Sequence, residues 1–307
     1  MRSAFFAKLE ELAAQDDRIC LIVGDLGFGV VNSFRKRFPS RFLNAGVAEQ
    51  NMTGLAAGMA LMGKVVFTYS IGNFSTLRCL EQIRNDVCYH NLNVKIVCVG
   101  GGVSYGAVGA THHATQDLAI MRSLPNMTVM TPNDPCEASW ATQAIINQGP
   151  CYLRIGRDGE KRFHQESDSF CLGKPVEVRQ GKDVLIATAG GMLKNAILAA
   201  EILERKGLSA CVLSAHTLKP FDSEFFLNSA SKVKAVFSLE DHSVCGGLGG
   251  IISEILAEFQ GKINFKRIGL PDTFTEIVGD QSYLHNCYGL SPEKIAETIC
   301  NYLSSLT

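Results

Sequence analysis

No stretch of the 307 residues approaches the roughly 18 uninterrupted apolar positions that a membrane-spanning helix requires, so none is expected. The start, Met1-Arg2-Ser3-Ala4-Phe5-Phe6-Ala7-Lys8-Leu9-Glu10, reaches charge too early for a secretory apolar segment. Neither sign of charge is in excess: 29 Lys+Arg against 30 Asp+Glu give a formal net charge of -1. That excludes the basic surplus of a general nucleic-acid binder and the acidic bias of a disordered tail. Charge is also scarce as a whole, 19% of residues against about 25% in typical soluble domains, which hints at surface covered by a partner. Eleven scattered cysteines include no Cys-x-x-Cys pair, which fits neither a disulfide framework nor a zinc site. They read as small buried hydrophobes of a chain in the reducing cytoplasm. There is no internal repeat and no low-complexity segment.

What is present is an alternation of short apolar runs and longer helical stretches. The runs are Ile19-Cys20-Leu21-Ile22-Val23, residues 64–69, 93–99 and 127–130, then 183–188, 210–213 and 233–239. Ala48 to Met62, Leu77 to Tyr89 and Met192 to Arg205 have helical spacing. Unbroken β-branched runs alternating with helices imply strands buried on both faces, hence mainly parallel α/β sheets. Polar residues at 158–180 interrupt the pattern. Two three-layer α/β domains are expected, at about 1–165 and about 175–307, the second being smaller.

Several glycine-rich segments exclude familiar sites. Gly100-Gly101-Gly102 lacks the following Gly-Lys-Ser/Thr of a P-loop. Gly24-Asp25-Leu26-Gly27-Phe28-Gly29 has its glycines in the wrong order for a dinucleotide fingerprint. Close backbone packing accounts for Gly246-Gly247-Leu248-Gly249-Gly250. Gly102-Val103-Ser104-Tyr105-Gly106 matches the nucleophile pattern of a serine hydrolase after a strand. A nucleophile elbow turns straight into a helix, whereas here glycines continue to Gly109 and the next helix begins near Thr115. An ordinary flexible loop is the competing reading.

Three segments carry chemistry. Leu43 to Ala60 is a Gly/Ala-rich helix that lets another helix come close, with one carboxylate, Glu49, in its first turn. Glu49 is either a residue that complements the helix dipole or, in apolar surroundings that favour its protonated form, a proton donor to a docked ring nitrogen. Phe74 lies in a strand-to-helix turn, either in the core or stacked on a heteroaromatic ligand. His112 and His113 follow glycines, where they suit proton transfer or hydroxyl binding, or are simply solvated; as a metal pair they lack a third ligand with recognisable spacing.

In this order the segments resemble the C-terminal half of transketolase. Asn44-Ala45-Gly46-Val47-Ala48-Glu49-Gln50-Asn51-Met52 is similar to the glutamate helix of its pyrimidine-binding domain, and Thr111-His112 to its substrate-histidine loop. Asp117 to Arg122 and Leu124-Pro125-Asn126-Met127 continue the likeness, which covers roughly residues 15–160 closely. It continues more loosely over 180–307, where Leu218-Lys219-Pro220-Phe221-Asp222 and Gly246-Gly247-Leu248-Gly249 resemble the C-terminal domain. The resemblance implies that Glu49 hydrogen-bonds the aminopyrimidine ring of thiamine diphosphate, that Phe74 stacks on it, and that Asp25 lies near the cofactor. It implies that His112 binds sugar hydroxyls and that Arg157 binds a substrate phosphate, with Arg154 a weaker candidate beside it. Arginine suits the phosphate because its planar fork presents paired donors.

Two departures qualify it. The Gly-Asp-Gly motif and distant Asn that hold the diphosphate and metal in full-length transketolase are absent, and Met1 lies close to where the pyrimidine domain begins. This implies the C-terminal subunit of a split transketolase, a glycolaldehyde transferase. An N-terminal-type partner would supply the diphosphate and Mg2+ or Ca2+ site, in an α2β2 assembly. The substrate loop, usually Asp-Gly-Pro-Thr-His, reads Val108-Gly109-Ala110-Thr111-His112, and His113 follows where Gln is common. Losing that Asp removes a charged partner for an acceptor hydroxyl, so a deoxy or modified sugar is expected as acceptor. The alternatives are a 2-oxoacid dehydrogenase E1 β-type subunit, a deoxyxylulose-phosphate-synthase-like subunit, a serine hydrolase using Ser104, and a non-catalytic scaffold.

Overall fold

The computed structural model describes residues 1–157, 159–165 and 169–306. Residues 158 and 166–168, part of the polar stretch expected to join two domains, lie outside the described residues, as does 307.

The first six strands are β1 (Ile19–Val23), β2 (Phe42–Asn44), β3 (Val65–Ile71), β4 (Val94–Val99), β5 (Thr128–Met130) and β6 (Cys151–Ile155). The next six are β7 (Val176–Arg179), β8 (Val184–Ala189), β9 (Ala210–Ser214), β10 (Thr217–Lys219), β11 (Ala235–Ser243) and β12 (Phe265–Leu270). They form a seven-stranded sheet of order β10-β5-β6-β4-β3-β1-β2 and a five-stranded sheet of order β12-β11-β8-β9-β7. Pairing is parallel except at two edges, β10 on β5 and β7 on β9. The central strands β1, β4, β6, β8, β9 and β11 are buried along their whole length, as strands with helices over both faces are. The α/β reading therefore holds for both sheets.

Helices Arg2–Gln15 and Pro135–Ala144 cover one face of the first sheet, where Phe5 lies 6.1 Å from the Phe67 ring. Helix Glu49–Leu61 covers the other through Met52, Ala56 and Ala57. The core on that side continues without a break into the second sheet, joining Leu118 and Met121 to Leu218 and Phe226. Strand β10 reinforces the join, since it follows β9 of the second sheet yet pairs with β5 of the first.

A buried polar clasp completes the junction. Asp134 accepts from the backbone N–H groups of Phe163 and His164 at 2.8 and 3.0 Å and caps helix Pro135–Ala144. Glu137 accepts from Ser214 Oγ at 2.5 Å and from Asn133 N–H at 2.7 Å, and pairs with His164 Nε2 at 2.9 Å. Asp134, Glu137 and His164 have metal-ligand geometry, but these hydrogen bonds already occupy their oxygens.

Leu77 to Tyr89 differs from the single helix its spacing predicts. It follows helix Gly72–Thr76 and divides into Leu80–Gln82 and a wider turn, Ile83–Cys88. Among the described residues no helix is long and apolar enough to cross a membrane.

Candidate active site

From β1 the chain moves outward to β2, then crosses back to β3 and continues the other way to β4. The strand order therefore reverses between β1 and β3, and their carboxyl ends open a crevice, where α/β sheets place ligands. Gly24-Asp25 leaves β1 there, helix Glu49–Leu61 starts there after β2, and Gly72–Thr76 starts there after β3. Gly24 permits the close approach: a Cβ on it would stand 3.2 Å from Ser70 Oγ and 3.4 Å from Glu49 Cγ.

Glu49 is 1% exposed. Although first in its helix, it does not cap it, and the N-cap, Ala48, supplies no side-chain bond either. One carboxylate oxygen accepts from Ser70 Oγ at 3.1 Å and the other from Arg78 Nη1 at 3.0 Å. The half-exposed Arg78 guanidinium also lies 5.1 Å from the Phe74 ring centroid, a cation–π contact. Phe74 meets His112 edge-on at 5.0 Å, and His112 lies 5.8 Å from Tyr105. Arg157 sits over Tyr105 at 5.1 Å. A continuous row of contacts thus joins Glu49 to Arg157 through Arg78, Phe74, His112 and Tyr105.

Beside this row lies an open cleft of about 440 Å³, lined by Asn73, Phe74, Arg78, Thr111, Gln116 and Phe274. Phe274 comes from the loop after β12, so the second sheet contributes to the rim. Arg78 has no place in the expected site residues. The sequence carried no clear signal for it: Phe74 reads as a turn residue ahead of the helical stretch that begins at Leu77, and Arg78 falls between helices Gly72–Thr76 and Leu80–Gln82.

The remaining candidates fall elsewhere. Asp25 is in the left-handed region at φ 53°, which Asp tolerates, and accepts from Asn44 Nδ2 at 2.9 Å. His113 is buried and pairs through Nε2 with the Gly106 carbonyl at 2.8 Å. Arg154 is buried between the sheets, where it donates to the Asp241 carbonyl at 2.5 Å and faces Asp117 at 3.5 Å. It borders a second cavity of about 390 Å³, shared with Arg157, Lys194 and His285. Ser104 lies in a turn that runs into the short 3-10 helix Gly106–Val108, and among the described residues no group hydrogen-bonds its buried Oγ. It has neither the elbow nor the general base that a serine nucleophile requires.

Residues 1–159 match the transketolase pyrimidine-binding domain, and residues 173–295 match the transketolase C-terminal domain. The 6-deoxy-6-sulfo-D-fructose transketolase subunit SqwH of Clostridium sp. strain MSTE9 is 41% identical, over 96% of this chain and 92% of its own length. An apulose-4-phosphate transketolase subunit of Phocaeicola vulgatus is 35% identical, over 98% and 97%. A solved structure described as a split gene transketolase, inactive beta4 tetramer, is 36% identical with a TM-score of 0.89, covering 99% of this chain and 97% of that one. Two matched domains, relatives of nearly equal length and a shared fold lead to one conclusion: the chain belongs to the transketolase family, as a subunit of the split, thiamine-diphosphate-dependent kind.

Proposed function

We propose that this chain is the pyrimidine-side subunit of a two-chain transketolase that moves a two-carbon ketol unit from a ketose phosphate to an aldehyde acceptor. The observation that carries this reading is Glu49, a buried carboxylate at the strand-order reversal that is not spent on capping its helix. When bound, thiamine diphosphate supplies the carbanion chemistry that side chains lack.

The residues present fit its aminopyrimidine ring. One Glu49 oxygen is held only by a half-exposed arginine, which can yield that oxygen to a ring nitrogen. Phe74 offers the ring a flat apolar face once Arg78 swings aside. Asp25 closes the near side. His112 orients substrate hydroxyls, and Arg157 takes the substrate phosphate. His113 and Arg154, bonded inward, frame the site.

Among the described residues the group with metal-ligand geometry lies in the interdomain clasp, and its oxygens are already bonded. In this reading an N-terminal-type partner subunit holds the diphosphate and its Mg2+ or Ca2+, in an α2β2 assembly. Exposed apolar side chains in loops of both domains, Phe28, Val47, Val108 and Val278, of which Phe28 is 82% exposed, suit a covering partner. Gly54 and Gly58 leave open space along helix Glu49–Leu61 for a partner element. The cysteines form no disulfide, which fits a reducing cytoplasm.

The acceptor is a deoxy or otherwise modified sugar. Val108, half-exposed beside the histidine loop, offers no bond to the hydroxyl that the family's Asp would hold. The names of the two relatives point the same way, to a sulfo-deoxy sugar and to apulose phosphate. The test mixes this chain with its partner subunit, thiamine diphosphate, Mg2+, a ketose phosphate and a panel of aldehydes. Ketol transfer without carbon dioxide release is expected. Release of carbon dioxide from pyruvate as the main reaction would instead make it a decarboxylating relative.

A further inference from the structure

The loop that carries His112 is fixed from the second sheet. Its two ends meet where Gly102 N–H donates to the Ala114 carbonyl at 2.8 Å and Ala114 N–H to the Gly102 carbonyl at 3.0 Å. Against that pair sits Asp241, near the end of β11 and 1% exposed. Its carboxylate accepts from Val103 N–H at 3.2 Å and from Gln281 Nε2 at 3.1 Å, and lies 3.0 Å from His285 Nε2. The fit leaves no slack: Gly102 has φ +60°, and a Cβ there would stand 2.0 Å from the Asp241 carboxyl carbon.

Two further contacts come from the same side. Ser243 N–H donates to the Thr115 carbonyl at 2.9 Å. Gly106, whose carbonyl pairs with His113, packs on Gly279 so closely that a Cβ would stand 2.7 Å from its carbonyl oxygen. From the first sheet the loop is held by Asn73 Nδ2, which donates to the His113 carbonyl at 2.7 Å.

We propose that Asp241 is a positioning residue for the substrate histidine: by bonding the Gly102–Val103 turn, it fixes the loop that sets His112 against Phe74. This rests on the reading of His112 as a substrate ligand. The carboxylate is kept ionised for the task. Burial pushes its pKa up, but the neighbouring His285, with Arg154 and Gln281, outweighs burial and holds it below the usual range. His285 moves the opposite way: burial lowers it, and Asp241 raises it further. The charge matters because a carboxylate accepts a backbone N–H more strongly than a neutral oxygen does.

The experiment combines Asp241→Asn with His112→Asn in the reconstituted two-subunit enzyme, with hydrogen exchange on the chain itself. Misplacing a binding group by about 1 Å costs on the order of a hundredfold. Asp241→Asn is therefore expected to lower kcat/KM about a hundredfold when His112 is present and only slightly when it is already Asn. The Gly102 and Ala114 amides should exchange faster, while those of β3 and β8 stay protected. Gln281→Leu, which leaves the charge pair intact, should give a smaller change of the same kind and guards against a variant that fails to fold. Losses that multiply fully across the two substitutions, or loop amides as protected as in wild type, overturn the proposal. A wild-type enzyme without ketol transfer would instead overturn the functional reading, and the exchange measurement would still decide whether Asp241 holds the loop.

Discussion

Both sheets reverse strand order between two central parallel strands, β1 and β3 in the first and β8 and β11 in the second. In the first, the crevice at the carboxyl ends holds the Glu49 carboxylate beneath Arg78, and an open cleft beside it is lined by Phe74 and Arg78. In the second, the first domain borders the matching position, where Gly101 and Arg154 share a cavity of about 390 Å³ with Gly190, Gly191 and His285. The Arg154 guanidinium lies 3.7 Å from where a side chain on Gly190 would begin, and Gly102 presses on Asp241. The same topology thus gathers the candidate site residues in one half and seats the neighbouring domain in the other. The buried charge of Glu49 is covered by the half-exposed Arg78, whereas that of Asp241 is bonded to the neighbouring domain.

The contrast breaks most sharply at Glu49. Glu49→Ala in the reconstituted enzyme should lower kcat by on the order of 10²–10⁴, the range lost with a proton-transfer partner, and leave the melting temperature nearly unchanged. Steady-state turnover beside a thermal melt checks both halves.

The clasp should behave in the opposite way. Glu137→Ala strips a buried network of its acceptor and should cost about 3–5 kcal/mol of stability, measured by urea denaturation. Burial pushes the Glu137 pKa up, but His164, with help from His216 and Ser214, holds it below the ordinary 4.5. A depressed carboxyl contributes stability that is fully present above 4.5 and is lost as pH falls through the folded value. The wild type should lose stability on acidification below about 4.5, and Glu137→Ala should lose less over the same window.

Arg157→Ala tests the open site at its far end. Loss of a charge-assisted phosphate contact, about 1.5–3 kcal/mol, should reduce kcat/KM roughly 10- to 150-fold for phosphorylated substrates and hardly at all for unphosphorylated ones. The smallest effect is expected from Val108→Asp. Restoring a hydrogen-bond partner, worth about 1 kcal/mol, should shift the kcat/KM ratio about fivefold toward hydroxylated acceptors. Competition between paired aldehydes measures that ratio directly.

The open half was the more legible in the sequence. Strands β1, β3, β4, β8 and β9 announce themselves as largely apolar runs with turn residues after them, even though Lys95 interrupts β4. Strand β6 escaped because Arg154 interrupts its apolar character; its charge is tolerated in a fully buried strand by Asp117 and the Asp241 carbonyl. For the same reason β11 runs on to Ser243, past the Leu239 where its apolar run ends: Glu240 accepts from Leu248 and Gly249 N–H, and Asp241 from Val103 N–H. Short edge strands such as β2 and β10 carry no such signature, since their partners come from distant parts of the chain. Glu49, Phe74 and His112 could be picked out because each sits beside a turn in a recognisable segment. Asp241 could not, since what it holds lies 138 residues earlier.

The central claim is that this chain supplies half of a cofactor pocket, with Glu49 at its centre. Calorimetric titration of thiamine diphosphate with Mg2+ into this chain, into the partner subunit and into their equimolar mixture tests it most directly. Tight binding is predicted only in the mixture, and it should weaken when the mixture carries Glu49→Gln. Equally tight binding to this chain alone, or a mixture indifferent to Glu49→Gln, would contradict the account.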